Sequence, residues 1–306
     1  MRVSVVLCTH SLARFDDLLE AAASVRAQTY DDVELVLVSD GNPDVTTRFR
    51  EYFGDAEDVV ITELPENRGL LEARNAGADA ATGEVVAFID DDAIADSEWV
   101  EELVEAYEHR DAVAAGGKMT AAWVAGKPGF LPAEFYWLVG VTHRGYREDA
   151  GQVRNTFGSN ISFRRDVFLD LGGFDTEIGG RQGDANLQGG ETELCARLQR
   201  EYGQGVWYNP QATVDHKVFE YRTDPMWLLD RAFWQGYSKR GMEVLVEDST
   251  DEESDFLGKL LGNYLPQRVH ELVSRPSSER ANQLVMLGLL TGAVGCGYLY
   301  GITKYR

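Results

Sequence analysis

The chain has 306 residues, 44% of them hydrophobic, which suits a sizeable core in one large α/β domain or two smaller ones. With 51 Asp and Glu against 29 Lys and Arg, its net charge is -22, and it lacks the basic stripes that meet phosphate backbones, so nucleic acid is not an expected partner. The acid excess is spread along the chain rather than gathered in a tail, and predicts a protein whose stability and activity rise between low and molar salt.

The opening run Met1-Arg2-Val3-Ser4-Val5-Val6-Leu7 is apolar but short and has no small-residue cleavage site, so it is expected to be a first strand rather than a signal peptide. Residues Leu18 to Gln28 are alanine-rich and helix-like, Val33 to Val38 strand-like, Pro43 to Tyr52 a short helix opening on Pro, and Val59 to Ile61 a strand. A helix over Leu70 to Ala81 follows, then a strand Val85 to Ile89 and a helix Ser97 to Glu108 with Ser97 as its cap. This β-α-β-α alternation predicts an α/β fold with a mostly parallel, doubly wound sheet. Neither GxGxxG nor GxxxxGK[ST] occurs, so dinucleotide and P-loop chemistry lose their main support.

Between Thr120 and Asn155 the periodicity fades and Trp123, Phe130, Phe135, Tyr136 and Trp137 accumulate, a pattern that fits either stacking on sugar faces or a satellite hydrophobic cluster. Helices resume at Arg165 to Leu171, Glu191 to Tyr202 and Met226 to Arg240. Glu247 to Asp255 reads as an acidic linker within residues 246–255, which divides a domain over 1–245 (halves 1–118 and 119–245) from a helical segment over 256–306. Phe256 to Val273 is amphipathic, and Leu284 to Ile302 carries no charge and contains Gly288-x-x-x-Gly292 and Gly297-x-x-x-Gly301. These features predict attachment to a membrane surface, by a span or by a monotopic helix pair. A span would place Arg268, Arg275 and Arg280 inside, in keeping with the positive-inside tendency, and Lys304 and Arg306 outside, against it. Cys8, Cys195 and Cys296 are odd in number and lack CxxC spacing, so no disulfide framework or zinc site is expected. The sequon Asn160-Ile161-Ser162 is expected to be incidental.

Polar groups recur where the predicted parallel strands end: Thr9 after the first, Ser39-Asp40-Gly41-Asn42 after the second, Glu63 through Arg68 after the third, and Asp90-Asp91-Asp92 after the fourth. In an open parallel sheet such ends line one crevice, so four separated segments converge on one ligand. Carboxylates there can hold a divalent metal, which is what a diphosphate leaving group requires. Asp40 is either a turn residue before Gly41 or an acceptor for a base or ribose, and Arg68 and Arg74 can neutralise phosphate. A nucleotidyltransferase would carry a Gly-rich basic loop after its first strand, which Thr9-His10-Ser11-Leu12-Ala13-Arg14 is not. A non-catalytic sugar-nucleotide-binding scaffold would keep the crevice.

These residues resemble glycosyltransferase family 2, inverting enzymes of the GT-A fold. The resemblance lies in Ser4 to Thr9, Gln28-Thr29-Tyr30, Glu34 to Gly41, Asn67-Arg68-Gly69, Ala73-Arg74-Asn75-x-Gly77, Phe88 to Asp92, Gly158-Ser159-Asn160, Gly172-Gly173-Phe174-Asp175 and Gly190 to Arg197, over about the first 240 residues. It implies that Thr9 and Asp40 contact the nucleotide and that Asp90 to Asp92 form the metal-binding segment, Asp90 and Asp91 serving the nucleotide-sugar and Asp92 a Mg or Mn ion, with Arg68 and Arg74 as the cations for the nucleotide-sugar. His216 either completes the metal shell or is structural. The family often has two adjacent Asp residues where this chain has Ser39-Asp40, and Glu-Asp where it has Gly190-Glu191. With Leu194 and Arg197 fixing the register, Glu191 inherits the role of catalytic base. The acidic composition, these motifs and the Gly-rich C-terminus together resemble haloarchaeal enzymes that extend dolichyl-phosphate-linked sugars in protein N-glycosylation. That resemblance implies a UDP-sugar donor, with glucuronic acid as the sugar, a lipid-phosphate-linked sugar acceptor, and the cytoplasmic face of the cell membrane as the location. Arg68, Arg74 or Arg181 would meet the uronate.

Overall fold

The computed structural model describes residues 1–178, 180–182, 185–245 and 257–305. The expected linker 246–255 therefore lies outside the described residues. By compactness the chain divides into two units whose segments interleave: Met1–Thr120, Glu148–Gly180 and Gly190–His216 form the first, and Ala121–Arg147, Arg181–Gly189 and Lys217–Arg306 the second.

In the first unit, β1 (Val3–Thr9) lies between β2 (Val33–Asp40) and β4 (Val85–Ile89), parallel to both, with Thr9 opposite Ser39 and Leu7 opposite Ile89. Strand β3 (Val59–Leu64) extends the parallel set beyond β2. From β4 the sheet continues through β8 (Ile161–Arg164), β6 (Ala114–Trp123), β11 (Val206–Val218) and β5 (Ala93–Ala95), with β7 (Gly151–Val153) beside β11. In this second half β8 runs antiparallel to β4 and β6, and β11 antiparallel to β5 and β7.

Alternation along β1 explains why both faces are covered. Val3, Val5 and Leu7 face α1 (Phe15–Arg26), α2 (Pro43–Phe53) and α4 (Trp99–His109), whereas Val6 and Cys8 face α3 (Leu70–Ala80), α5 (Arg165–Asp170) and α6 (Gly190–Tyr202). Each fully buried Val, Leu or Phe contributes about 1.5–3 kcal/mol. The cap of α4 differs from expectation. Ser97 gives its carbonyl to the Thr29 amide, while Asp96 Oδ1 accepts the Glu98 amide at 3.1 Å, so an Asx turn at Asp96 starts the helix one residue later.

The second unit holds α7 (Pro225–Leu245), α8 (Leu265–Ser274) and α9 (Ser278–Lys304). Leu131, Phe135, Leu138, Val139 and Val141 pack with Leu228 and Ala232 of α7 and Met286, Leu287 and Leu290 of α9. Trp123, Phe130, Tyr136 and Trp137 surround that cluster, so the aromatic segment is a core of its own. Glu134 is fully buried and is held by Arg268 at 2.7 Å and Arg144 at 3.2 Å. Among the described residues one helix, Ser278–Lys304, is long and apolar enough to cross a membrane by length and composition.

Candidate functional site

The parallel register of β1, β2 and β4 brings Thr9, Asp40 and Asp90 to one edge of the first unit. Thr9 Oγ1 donates to Asp91 Oδ2 at 3.1 Å. Beyond the triplet, β5 pairs with β11 so that Ala93 faces His216, which places His216 Nε2 3.4 Å from Asp92 Oδ1. Both side chains are buried.

Arg74, on α3, is 2% exposed and joins two distant segments. Its NH2 meets Asp90 Oδ1 at 2.7 Å and its NH1 meets Glu191 Oε1 at 2.9 Å, in the first turn of α6. The guanidinium also stacks over Phe88 and Phe174. Burial alone would lower this group, but Asp90 and Glu191 hold it above its ordinary value. The base candidate of α6 is therefore one guanidinium away from the strand-end carboxylates.

Neighbouring motifs explain why the bridge forms. A Cβ on Gly158 would lie 2.0 Å from Glu191 Oε1 and 2.6 Å from Arg74 NH1, so any larger residue there would push the paired side-chain ends out of this position. Ser159 Oγ accepts the Asp90 amide at 3.1 Å. Asn160 accepts from Trp99 Nε1 and donates to the carbonyls of Lys118 and Ala212. It is fully buried, which removes the sequon from the surface. Asn75 exchanges two hydrogen bonds with the Phe174 backbone, and Arg197 donates to the Gly173 carbonyl and to Glu193, which locks α6 against the Gly172-Gly173 turn.

Asp40 is buried and accepts the backbone amides of Arg68 at 2.8 Å and Gly69 at 2.9 Å, at the start of α3. Gly41 has φ +69, and a Cβ there would lie 1.9 Å from the Asn67 nitrogen, so the Asp40-Gly41 pair clamps the loop that carries Arg68. The Arg68 side chain is half-exposed and pairs with Glu66 and Glu72. Arg181 sits in strand β9 (Gly180–Gln182), with its side chain outside the described residues.

Arg14 was not singled out from the sequence. It ends a helical turn after β1 and reaches Asp91 at 3.1 Å and Asp92 at 2.9 Å, so two acids of the triplet share one cation from within the chain. Burial pushes the Asp91 carboxyl up to about 6, with Arg14 drawing it down and the Asp92 and Asp90 charges raising it again.

A divalent ion fits part of this donor set. Ligands about 2.1 Å from a hard cation sit roughly 3 Å apart, close to the Asp92–His216 separation of 3.4 Å. Among the described residues no three His, Cys, Asp or Glu side chains gather as a metal-holding group.

Residues 4–172, more than half of the chain, match the family model described as glycosyl transferase family 2. The chain belongs to this family. It is 50% identical over 303 residues, covering 99% of itself and 96% of the relative, to a glucosyl-dolichyl phosphate glucuronosyltransferase of Haloferax volcanii. A Pyrobaculum calidifontis mannosyltransferase solved with GDP-Man and Mn2+ superposes with a TM-score of 0.61 at 16% identity, covering 98% of this chain and 87% of that one. S. aureus TarS 1-349 with UDP-GlcNAc gives 0.56 at 15% identity, covering 100% and 90%. These structural neighbours share the GT-A fold with this family 2 glycosyltransferase.

Proposed function

We propose that this glycosyltransferase moves glucuronic acid, with inversion, from a UDP-sugar to a dolichyl-phosphate-linked saccharide at the cytoplasmic face of the cell membrane, as a step of archaeal protein N-glycosylation. Identity with the Haloferax relative along nearly the whole chain supports the donor and acceptor classes. The observation that carries the mechanism is the Asp90–Arg74–Glu191 bridge, which fixes a carboxylate of the α6 first turn beside the strand-end acids.

In this reading Glu191 is the general base. Arg74 engages Oε1, and Oε2 takes the proton of the acceptor hydroxyl as its oxygen attacks the anomeric carbon. The new carbon–oxygen bond forms opposite the breaking one, whose electron pair leaves with the diphosphate. Asp92 and His216 would hold a Mg or Mn ion, which when bound neutralises charge on the leaving diphosphate. Thr9 orients Asp91 toward the nucleotide-sugar, and Asp90 holds Arg74 toward it. Asp40 shapes the Asn67-Arg68-Gly69 loop around the nucleotide, and Arg68 is the cation assigned to the uronate, since its pairs with Glu66 and Glu72 are half-exposed and exchangeable, whereas Arg74 is buried and locked between Asp90 and Glu191. The acidic composition fits a salt-rich cytoplasm.

Incubating the purified protein with Mn2+, a panel of UDP-sugars and lipid-phosphate-linked glucose tests this reading. UDP release is expected with UDP-glucuronate and lipid acceptor together. Release of UMP or pyrophosphate, or equal turnover with every UDP-sugar, contradicts it.

A further inference from the structure

We infer that α9 beds the second unit in the plane of a lipid surface through one outward stripe and does not cross the bilayer. The exposed apolar residues of α9 are Val285, Leu289, Cys296, Leu299, Tyr300 and Ile302, with Gly288, Gly292 and Gly295 between them and exposed Asn282 and Thr303 towards its two ends, the spacing of a single helix face. No charged residue interrupts residues 281–303, and at 1.5 Å per residue the stripe from Val285 to Ile302 runs about 26 Å.

The opposite face is committed to α7. A Cβ on Gly297 would lie 1.8 Å from the Phe233 carbonyl oxygen, and one on Gly236 would lie 1.9 Å from the Val294 oxygen, so the two backbones touch. Phe233 meets Gly297 while Gly241 meets Tyr305, so the helices run side by side in the same direction. Helix α7 carries Asp230, Arg231, Lys239, Arg240 and Glu243, and Glu243 accepts the Tyr298 hydroxyl at 2.6 Å. If α9 crossed a bilayer it would carry α7 and these charges into hydrocarbon, which is strongly penalised. An in-plane helix keeps the charges of α7 in water and puts the stripe into the headgroup and acyl boundary.

Charge selects lipid as the occupant. Residues 257–306 hold six Lys and Arg against two Glu, in a chain whose total charge is -22. Exposed Arg275 and Lys304 lie near the two ends of α9, where anionic headgroups complement them. A second copy would oppose the same positive charge. The inference rests on the lipid-linked acceptor proposed above for its setting, and its test needs no sugar substrate.

Cys296 lies on the stripe and is the exposed cysteine, Cys8 and Cys195 being buried. An environment-sensitive fluorophore is attached to Cys296, or to Leu289→Cys or Ile302→Cys in a Cys296→Ser background. Each labelled protein is mixed, at about 0.1 M and at molar salt, with phosphatidylcholine–phosphatidylglycerol vesicles carrying a shallow or a deep acyl spin label, the headgroup attraction weakening with salt while the apolar contact persists. The expected result is equal, shallow quenching at all three positions and release of the protein by alkaline carbonate. A depth that changes along the helix, with carbonate resistance, overturns the inference in favour of a span. Unquenched labels overturn it too, whether or not light scattering shows a dimer. The variant Leu289→Asp with Leu299→Asp is expected to lose vesicle binding at least tenfold while keeping transfer to a water-soluble acceptor. Loss of that transfer in the unmodified protein strikes the proposed function instead.

Discussion

Replacing Arg74 by Met removes the positive charge that joins Asp90 to Glu191 and leaves both carboxylates facing each other. Breaking a buried ion pair costs about 3–5 kcal/mol because the remaining charge has lost its water. Here the guanidinium is 2% exposed but each carboxylate is 28% exposed, so both retain part of their hydration. Roughly half of the penalty survives that screening, and losing the stacking over Phe88 and Phe174 adds about 1 kcal/mol, for a total of roughly 2–4 kcal/mol. At about 2–4 °C per kcal/mol for a chain of this size, the melting temperature is expected to fall by roughly 4–16 °C. Thermal denaturation of Arg74→Met, Glu191→Gln and the double variant provides the check. With Glu191 already neutral, removing Arg74 strands one fewer charge, so a coupling of at least about 1 kcal/mol is expected. A loss below about 1 kcal/mol for Arg74→Met, or strict additivity, refutes the bridge as the element that unites α3, β4 and α6.

Three other outcomes are expected. Gly158→Ala places a methyl group against Glu191 Oε1, so turnover should fall by at least about tenfold at a stability loss of about 1–3 kcal/mol; wild-type kinetics would contradict the packing. Glu34 is buried, which alone raises its carboxyl, but bonds from Ser4 and Thr82 and the nearby Arg2 charge hold it below the usual value. Its contribution is therefore present above the ordinary glutamate range and lost as pH falls through the lowered value, so urea titrations from pH 6 to about 3 should show a shallower decline for Glu34→Gln. Arg14→Ala frees Asp91 and Asp92 from an internal cation, and Mn2+ binding followed by electron paramagnetic resonance should tighten by roughly tenfold. Unchanged or weaker binding would mean that Arg14 does not compete for these acids.

Much of this was legible in the sequence because the parallel half of the sheet obeys short-range rules. Continuous apolar runs such as Val85 to Ile89 read directly as buried strands, and polar residues at their ends gather at one edge of the sheet. The antiparallel half was harder. Strands β5, β7 and β8 have three or four residues each, and β11 continues across Pro210, so neither length nor alternation announces them. His216 could be named as a candidate, but its approach to Asp92 depends on the register of β11 with β5, which no local pattern encodes. Arg14 escaped notice because a lone arginine after a strand has no signature until the fold brings Asp91 and Asp92 to it. Asp40 carried two readings, and the structure supplies its local partners, the amides of Arg68 and Gly69, which come from a loop 28 residues away in sequence. The aromatic segment resolves the same way, since burial of Phe135 against α7 and α9 depends on helices roughly 90 and 150 residues further on.

Single-turnover transfer by Glu191→Gln, measured beside its UDP-sugar affinity, tests the central claim most directly. Gln keeps the shape and a hydrogen-bonding oxygen for Arg74 but has too little basicity to take the acceptor proton. Transfer is predicted to fall by about 10²–10⁴-fold while donor affinity stays within a few-fold of the parent. Transfer at the parent rate would contradict the assignment of the base to α6.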